Sequence, residues 1–196
     1  MMPSLLFLEN IPCGRHEIIP REGGVEMGYK NPAYVVFDGD EDGWAYRFMR
    51  GWKANEHVEF DFRDAHDLDN MTSRAQGEQY VKRHLRDRMS QSSCIIVLVG
   101  EKTKNLYKYV RWEIELAISL DLPIIGVNLN CSNGVDKLRC PALLRDHCAV
   151  HVPFKLAAIK FALDYWPNEY HRLGDREKGQ GARSYPAEKY QEWTKS

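Results

Sequence analysis

Two runs of the chain are apolar on both faces, and they restrict strongly what it can fold into. Cys94–Val99 (CIIVLV) and residues 123–129 (PIIGVNL) contain almost no polar side chain. A strand with one face in water alternates apolar and polar residues, whereas a parallel strand covered by helices on both faces is apolar throughout. The helical pattern at 107–120 supplies the crossover that parallel neighbours require. The two runs therefore predict the centre of a parallel sheet flanked by helices.

Three shorter runs predict the rest of the sheet. They are rich in β-branched and aromatic residues and lie at 33–38 (AYVVFD), 58–62 (VEFDF) and 148–152 (CAVHV). Helical patterns follow the strands at about 43–53, after a capping-box pair at Ser73 and Gln76, and at about 154–165. Strands that alternate with helices favour an α/β flavodoxin-like fold. We expect five parallel strands in the order 2-1-3-4-5, with a ligand at their carboxyl ends.

The ends of the chain differ in composition from this alternating region. Residues 1–32 carry several prolines and a Gly23-Gly24 pair without any sustained period, which predicts an irregular leader. Residues 167–196 are charged and interrupted by glycines, which is typical of a tail that is ordered only where something holds it. With 196 residues in all, one domain at 33–166 is expected.

Charge and cysteine usage exclude several classes of protein. The formal net charge is -1 with both signs interspersed, so a nucleic-acid-binding surface is not expected, and no apolar run approaches the ~20 residues that span a bilayer. The five cysteines have no paired spacing and predict reduced thiols in the cytoplasm. No metal is expected, because four candidate ligands fit no zinc spacing and are interpreted as structural: Cys140, His147, Cys148 and His151. Asp38 begins an EF-hand-like run, but Met49 occupies the position of its bidentate glutamate, so a turn that caps the next helix is the better interpretation.

Glu113 is the most unusual residue of the predicted helix at 107–120. At about 100° per residue it falls inside the apolar arc of that helix, which is formed by Val110, Ile114, Ala117 and Ile118. Burying a carboxylate is costly, so the side chain needs an ion pair or hydrogen bond, or else it belongs to a functional site.

The segment 92–130, with VRWEI at 110–114, resembles the third strand, helix and fourth strand of bacterial TIR-like proteins, and in particular those of Thoeris anti-phage defence systems. Residues 34–47 are similar to the first strand and loop of that family. With the piece at 64–68, the resemblance covers roughly 33–166. It implies the flavodoxin-like fold and, in enzymatic members, cleavage of the nicotinamide–ribose bond of NAD⁺ to make a cyclic or modified ADP-ribose signal.

The same resemblance assigns roles to individual residues. It places the catalytic glutamate of the family at Glu113, and it implies NAD⁺ as the substrate without a further cofactor. Loops after the first two strands would contact the substrate through Phe37, Asp38, Gly39, Asp40, Asp64 and His66. Arg111 and Trp112 point outward and predict an interface with another copy, while a downstream effector would sense the product.

One departure from the family keeps other functions open. Typical TIR domains have small or aromatic residues after the first strand, whereas residues 38–42 (DGDED) carry four carboxylates that would repel a pyrophosphate. This loop favours the second hypothesis, a TIR-like interaction module that performs no chemistry. A third is a nucleoside deoxyribosyltransferase-like enzyme, which uses a related fold and a nucleophilic carboxylate.

Overall fold

A parallel sheet forms the centre of the computed structural model, which describes residues 33–58, 60, 62, 78–105 and 108–195. Within these ranges the sheet has four strands in the order β1-β2-β3-β4. They are β1 (Ala33–Val36), β2 (Cys94–Val99), β3 (Ile124–Asn128) and β4 (Ala149–Pro153). All three neighbouring pairs are parallel, and every position of the four strands is buried. The α/β class and the parallel sheet predicted from the apolar runs are thus confirmed.

The helices lie between and after the strands. They are α1 (Gly43–Ala54), α2 (Glu78–Met89), α3 (Lys108–Ser119), α4 (Ala142–Arg145), α5 (Leu156–Arg172), α6 (Asp175–Lys178) and α7 (Ala187–Lys195). Successive strand residues face opposite layers, so Ile96 and Leu98 join one core with α1, α5 and α7, while Ile95 and Val97 join another with α2 and α3. None of the helices in the described ranges is both long and apolar enough to cross a membrane.

The fifth predicted strand, at 58–62, is not confirmed, and with it the order 2-1-3-4-5. Val58, Phe60 and Phe62 are not assigned to a strand, and the residues between them lie outside the described ones, as do the Ser73–Gln76 pair, Asp64 and His66. The apolar residues of this run pack on helix α1, Phe60 on Trp52 and Phe62 on Tyr46. The four observed strands nevertheless keep the relative order expected for them.

The segment 167–196, set apart by its charged composition, adds to the core. Helix α5 passes through Pro167, because Trp166 and Tyr170 on its inner face are fully buried. Further along, Arg183 pairs with Val150 in parallel beside β4, and its backbone N–H donates to the carbonyl of Ala149 at 2.8 Å. Helix α7 then buries Tyr190 and Trp193 against α5. The end of the chain therefore covers the outer edge of the sheet.

Candidate functional site

Glu113 lies in the second turn of α3, on the side that packs against the sheet. Val110, Ile114 and Ala117 hold this face of the helix in the core, and Glu113 is 8% exposed. The hydroxyl of Tyr34, on β1, donates a hydrogen bond of 2.8 Å to Oε1 of Glu113. The helical periodicity correctly predicts that the carboxyl is buried.

Burial controls the electrostatics of this pair. Desolvation raises the pKa of Glu113 to about 7, and the hydrogen bond from Tyr34 opposes the rise by stabilising the carboxylate. Desolvation, and then the neighbouring carboxylate, raise the pKa of Tyr34, so its hydroxyl remains a donor. No ion pair found among the described side chains includes Glu113. The carboxyl is thus buried without a cationic partner in the described part of the chain, and it can change its protonation near neutral pH.

The acidic loop after β1 divides into two pairs of side chains. Asp40 and Glu41 are exposed, and Glu41 forms an ion pair with Lys102. Asp38 and Asp42 are 6% and 4% exposed, and Asp38 accepts a hydrogen bond of 3.1 Å from the backbone N–H of Asp40. Only two of the four carboxyls therefore lie inside the protein, at the carboxyl end of β1.

Asp42 reaches from this loop to the end of β2. Thr103 Oγ1 donates to its Oδ2 at 3.4 Å, and a Cβ added at Gly100 would lie 2.0 Å from its Oδ1. Position 100 therefore has room only for glycine beside the carboxyl of Asp42. Desolvation, followed by the nearby charge of Asp38, raises the pKa of Asp42 to about 6, although the Thr103 hydrogen bond lowers it.

Asp38 and Asp42 lie beside a different part of β1 from Glu113. Tyr34, which holds Glu113, precedes Asp38 by four residues, or about 13 Å along an extended strand. Within the described part of the chain, Glu113 forms no hydrogen bond with the acidic loop. The site thus consists of a carboxyl edge with Asp38 and Asp42 and a separate buried pair, Glu113 and Tyr34.

The model of one protein family, the TIR-like domain of the Thoeris protein ThsB, matches residues 34–133. This span is half of the chain and contains β1 from Tyr34 onward, the acidic loop and α3. The chain belongs to the ThsB TIR-like family. Membership of this Thoeris family indicates a role in anti-phage defence. A search of curated proteins finds no match to the chain.

Phe37 and Gly39, which are also predicted to contact the substrate of this ThsB-family domain, lie in different surroundings. Phe37 is buried on the opposite layer and stacks on Tyr46 with centroids 4.6 Å apart, which makes it a core residue in this structure. Gly39 is exposed, with no atom within 4 Å of an added Cβ. Asp64 and His66 lie outside the described residues, so they stay predictions.

The outer face of α3 in the ThsB-family domain is basic and aromatic. Arg111 is exposed and forms an ion pair of 2.8 Å with Glu115. Trp112 is half-buried, and the Nζ atoms of Lys82 and Lys108 lie 4.0 Å and 4.5 Å from its ring centroid. Through these cation–π contacts Trp112 joins α2 to the outer face of α3.

The Cys and His residues considered as ligands in this ThsB-family domain lie at the other end of the sheet or inside it. His151 is fully buried with its ring over Gly126, and burial lowers its pKa to about 4. Cys148 is also fully buried. In the described ranges no three His, Cys, Asp or Glu side chains are grouped so that they could hold a metal ion.

The sequence does not reveal the partners of Glu113 and Asp42 in the ThsB-family domain. It predicts that Asp42 belongs to a turn that caps α1, but at the N-cap position its side chain makes no capping hydrogen bond. It turns instead to Thr103, 61 residues further along the chain. The useful signal was Gly100 at the end of an otherwise bulky strand, because such a glycine marks the close approach of another group.

Proposed function

We propose that this ThsB-family domain is an NAD⁺-consuming enzyme of the cytoplasm, with Glu113 as its catalytic carboxylate. It would break the nicotinamide–ribose bond and make a cyclic or modified ADP-ribose signal for a downstream effector in anti-phage defence. The observation that carries the proposal is the buried carboxyl of Glu113, which accepts a hydrogen bond from Tyr34 and forms no ion pair with the side chains that the structure describes. NAD⁺ would be the substrate, and no other cofactor is needed.

The chemistry suits a single carboxylate. When the bond between C1′ of the ribose and the pyridinium nitrogen breaks, its electron pair stays on the nitrogen and nicotinamide leaves as a neutral molecule. The leaving group therefore needs no proton, in contrast to glycosidases that use two carboxyl groups. The carboxylate of Glu113 would stabilise the positive charge left on the ribose. This electrostatic attraction is stronger in a dry site than in water.

A nucleophile completes the reaction at C1′. Water would give linear ADP-ribose, and an atom of ADP-ribose itself would give a cyclic product; in both cases the nucleophile forms the new bond and loses a proton. A carboxylate with a pKa of about 7 can accept that proton near neutral pH. The hydrogen bond from Tyr34 would keep the carboxyl oriented during both steps.

The test compares Glu113→Gln with a matched control on the same helix, Glu115→Gln. Glu115 is exposed, so its replacement removes the same charge without reaching the core. Cells that express each protein are challenged with phage, and their nucleotides are measured by mass spectrometry; purified proteins are assayed for nicotinamide release. We expect the modified ADP-ribose and nicotinamide from wild type and Glu115→Gln but not from Glu113→Gln. Equal yields from wild type and Glu113→Gln in infected cells would contradict an enzymatic role for Glu113.

A second candidate is an assembly module without chemistry. The basic and aromatic surface around Trp112 favours it, because a half-buried Trp flanked by cations is a typical interface anchor. Sedimentation of wild type, Trp112→Ala and Glu113→Gln separates the two functions. Self-association lost in Trp112→Ala and kept in Glu113→Gln, without NAD⁺ turnover by wild type, would support the module.

A further inference from the structure

Helix α1 exposes two large aromatic side chains on adjacent turns. Trp44 is 41% exposed and Phe48 is 59% exposed, and they are two of the four large apolar side chains that are exposed in the described ranges. Their rings meet edge to face with centroids 6.0 Å apart, and the ring of Trp44 also lies 5.5 Å from that of Phe154, after β4. Because the aromatic pair is already held in place, covering it with another molecule would cost little side-chain entropy.

Gly51 lies on the same face of α1, and the fold does not account for it. It is in the interior of the helix without a left-handed φ, it is exposed, and an added Cβ would have no atom within 4 Å. A glycine inside a helix is destabilising relative to alanine. In the described part of the chain no atom lies close enough to require so small a residue here, so the open space is available to a group from outside.

The spacing of these residues makes the face complementary to itself. Trp44 and Gly51 are seven residues apart, so they point in the same direction within about 20° and lie about 10 Å apart along the helix axis. Phe48 lies between them. When two such helices pack antiparallel across a two-fold axis, Trp44 of each copy lies opposite Gly51 of the other. One occupant, a second copy of the chain, thus explains both the exposed rings and the glycine.

The area of the face indicates a weak dimer. Covering Trp44 and Phe48 would remove on the order of 200 Å² of aromatic surface per copy. With the side chains around them, the two copies would come close to the lower limit of specific interfaces, about 1,200 Å² in total. Antiparallel helices also oppose their dipoles, which adds a small attraction. We therefore expect a reversible association and not a permanent one.

We infer that α1 is a homodimer interface, in which the Trp44–Phe48 pair of one copy packs on Gly51 of the other across a two-fold axis between residues 47 and 48. This interface is separate from the surface around Trp112, because α1 and α3 belong to the cores on opposite sides of the sheet. The inference does not depend on NAD⁺ turnover, so it stands or falls independently of the proposed enzymatic function.

Sedimentation velocity of the full-length protein, at about 1–500 µM, tests the interface. We expect wild type to dimerise with a Kd of tens of micromolar. Phe48→Gln removes apolar contact and Gly51→Leu fills the open space, so each should weaken the dimer at least about tenfold. The matched control is Gly39→Ala, because Gly39 is also exposed with no atom near an added Cβ. It should change the Kd by less than about twofold.

Gly51→Leu should change folding and association in opposite directions. At a concentration at which the protein is monomeric, its thermal midpoint should rise, because leucine favours a helix more than glycine does. Weaker association of this variant could then not be explained by poor folding. A lower midpoint would show that the fold itself requires the glycine, and would overturn the inference.

A mixture of two variants tests the antiparallel orientation. In the Gly51→Leu dimer the added side chain meets Trp44 twice, and in the Trp44→Ala dimer the space beside Gly51 stays empty twice. In a mixed dimer one of the two contacts is native, and in the other the longer side chain at position 51 lies opposite the shorter one at position 44. The mixture should therefore associate about tenfold more tightly than Gly51→Leu alone.

Three results would overturn the inference. Wild type that remains monomeric at the highest concentration would mean that the aromatic pair serves another partner or none. Self-association that is lost in Trp112→Ala but unchanged in Phe48→Gln would place the contact between copies on α3. A mixture that associates no better than Gly51→Leu alone would exclude the antiparallel contact between Trp44 and Gly51.

Discussion

Replacing Glu113 by Gln should make the stability of the domain less dependent on pH. The pKa of this carboxyl is raised from its ordinary value of 4.5 to about 7 because burial penalises the charged form. At a pH between these two values, the carboxyl of Glu113 is therefore protonated in the folded state and ionised in the unfolded state. Stability from the protonated carboxyl is fully present below about pH 4.5 and is lost as the pH rises through about 7.

The size of the effect follows from the two pKa values. A difference of one in pKa corresponds to about 1.4 kcal/mol, so a rise from 4.5 to about 7 corresponds to about 3 kcal/mol. At pH 5 little of this stability has been lost, because Glu113 is protonated in the folded protein. It is then neutral, like the amide of the Gln variant. We expect the free energy of unfolding of Glu113→Gln, relative to wild type, to increase by about 2–3 kcal/mol between pH 5 and pH 9.

Urea unfolding followed by circular dichroism at several pH values measures this difference. Comparing the same variant at two pH values cancels any constant cost of fitting the amide beside Tyr34. Glu115→Gln is the control, because Glu115 is exposed and its pair with Arg111 should contribute only a few tenths of a kcal/mol at any pH. Parallel stability curves for wild type and Glu113→Gln would refute the burial argument, since they would mean that the carboxyl is as well solvated in the folded protein as in the unfolded one.

Further substitutions test the hydrogen bonding and packing of the domain. Tyr34→Phe removes the hydrogen bond that lowers the pKa of Glu113 in the folded state, so the fall in stability should continue to a higher pH than in wild type, as measured by the same urea series. Gly100→Ala should cost about 1–3 kcal/mol of unfolding free energy because its Cβ meets the Asp42 carboxyl, and Asp42→Gly should restore most of that loss in the double variant. Trp193→Ala should cost about 3–5 kcal/mol and lower the urea midpoint, and an unchanged midpoint would show that α7 is not docked in solution.

The sequence pattern predicts the strands and helices in which residues on the same face share the same environment. Strands β2 and β3 are covered on both faces, so all of their positions except Asn128 are apolar and the strands are visible in the sequence. Glu113 is visible for a related reason, since one charged residue interrupts an otherwise apolar helical face.

Other features depend on residues that are distant in the chain. Tyr34 meets Glu113 across 79 residues, and Asp42 meets Thr103 across 61, so neither pair leaves a local pattern. The charged composition of residues 167–196 does not indicate that this segment packs against the rest of the domain. The outer faces of α6 and α7 are charged, and the four aromatic residues of this segment that enter the core are spread along it: Tyr170, Tyr185, Tyr190 and Trp193.

The pairing of Arg183 beside β4 has a practical consequence for how this protein should be shortened. A fragment cut at the family boundary of residue 133 would lose β4 altogether, and one cut after α5 would leave the outer backbone groups of β4 unpaired. A bare strand edge recruits strands from other molecules and leads to aggregation. Insoluble material from either fragment would therefore report a missing cover on the sheet, not a defect in the chemistry of Glu113.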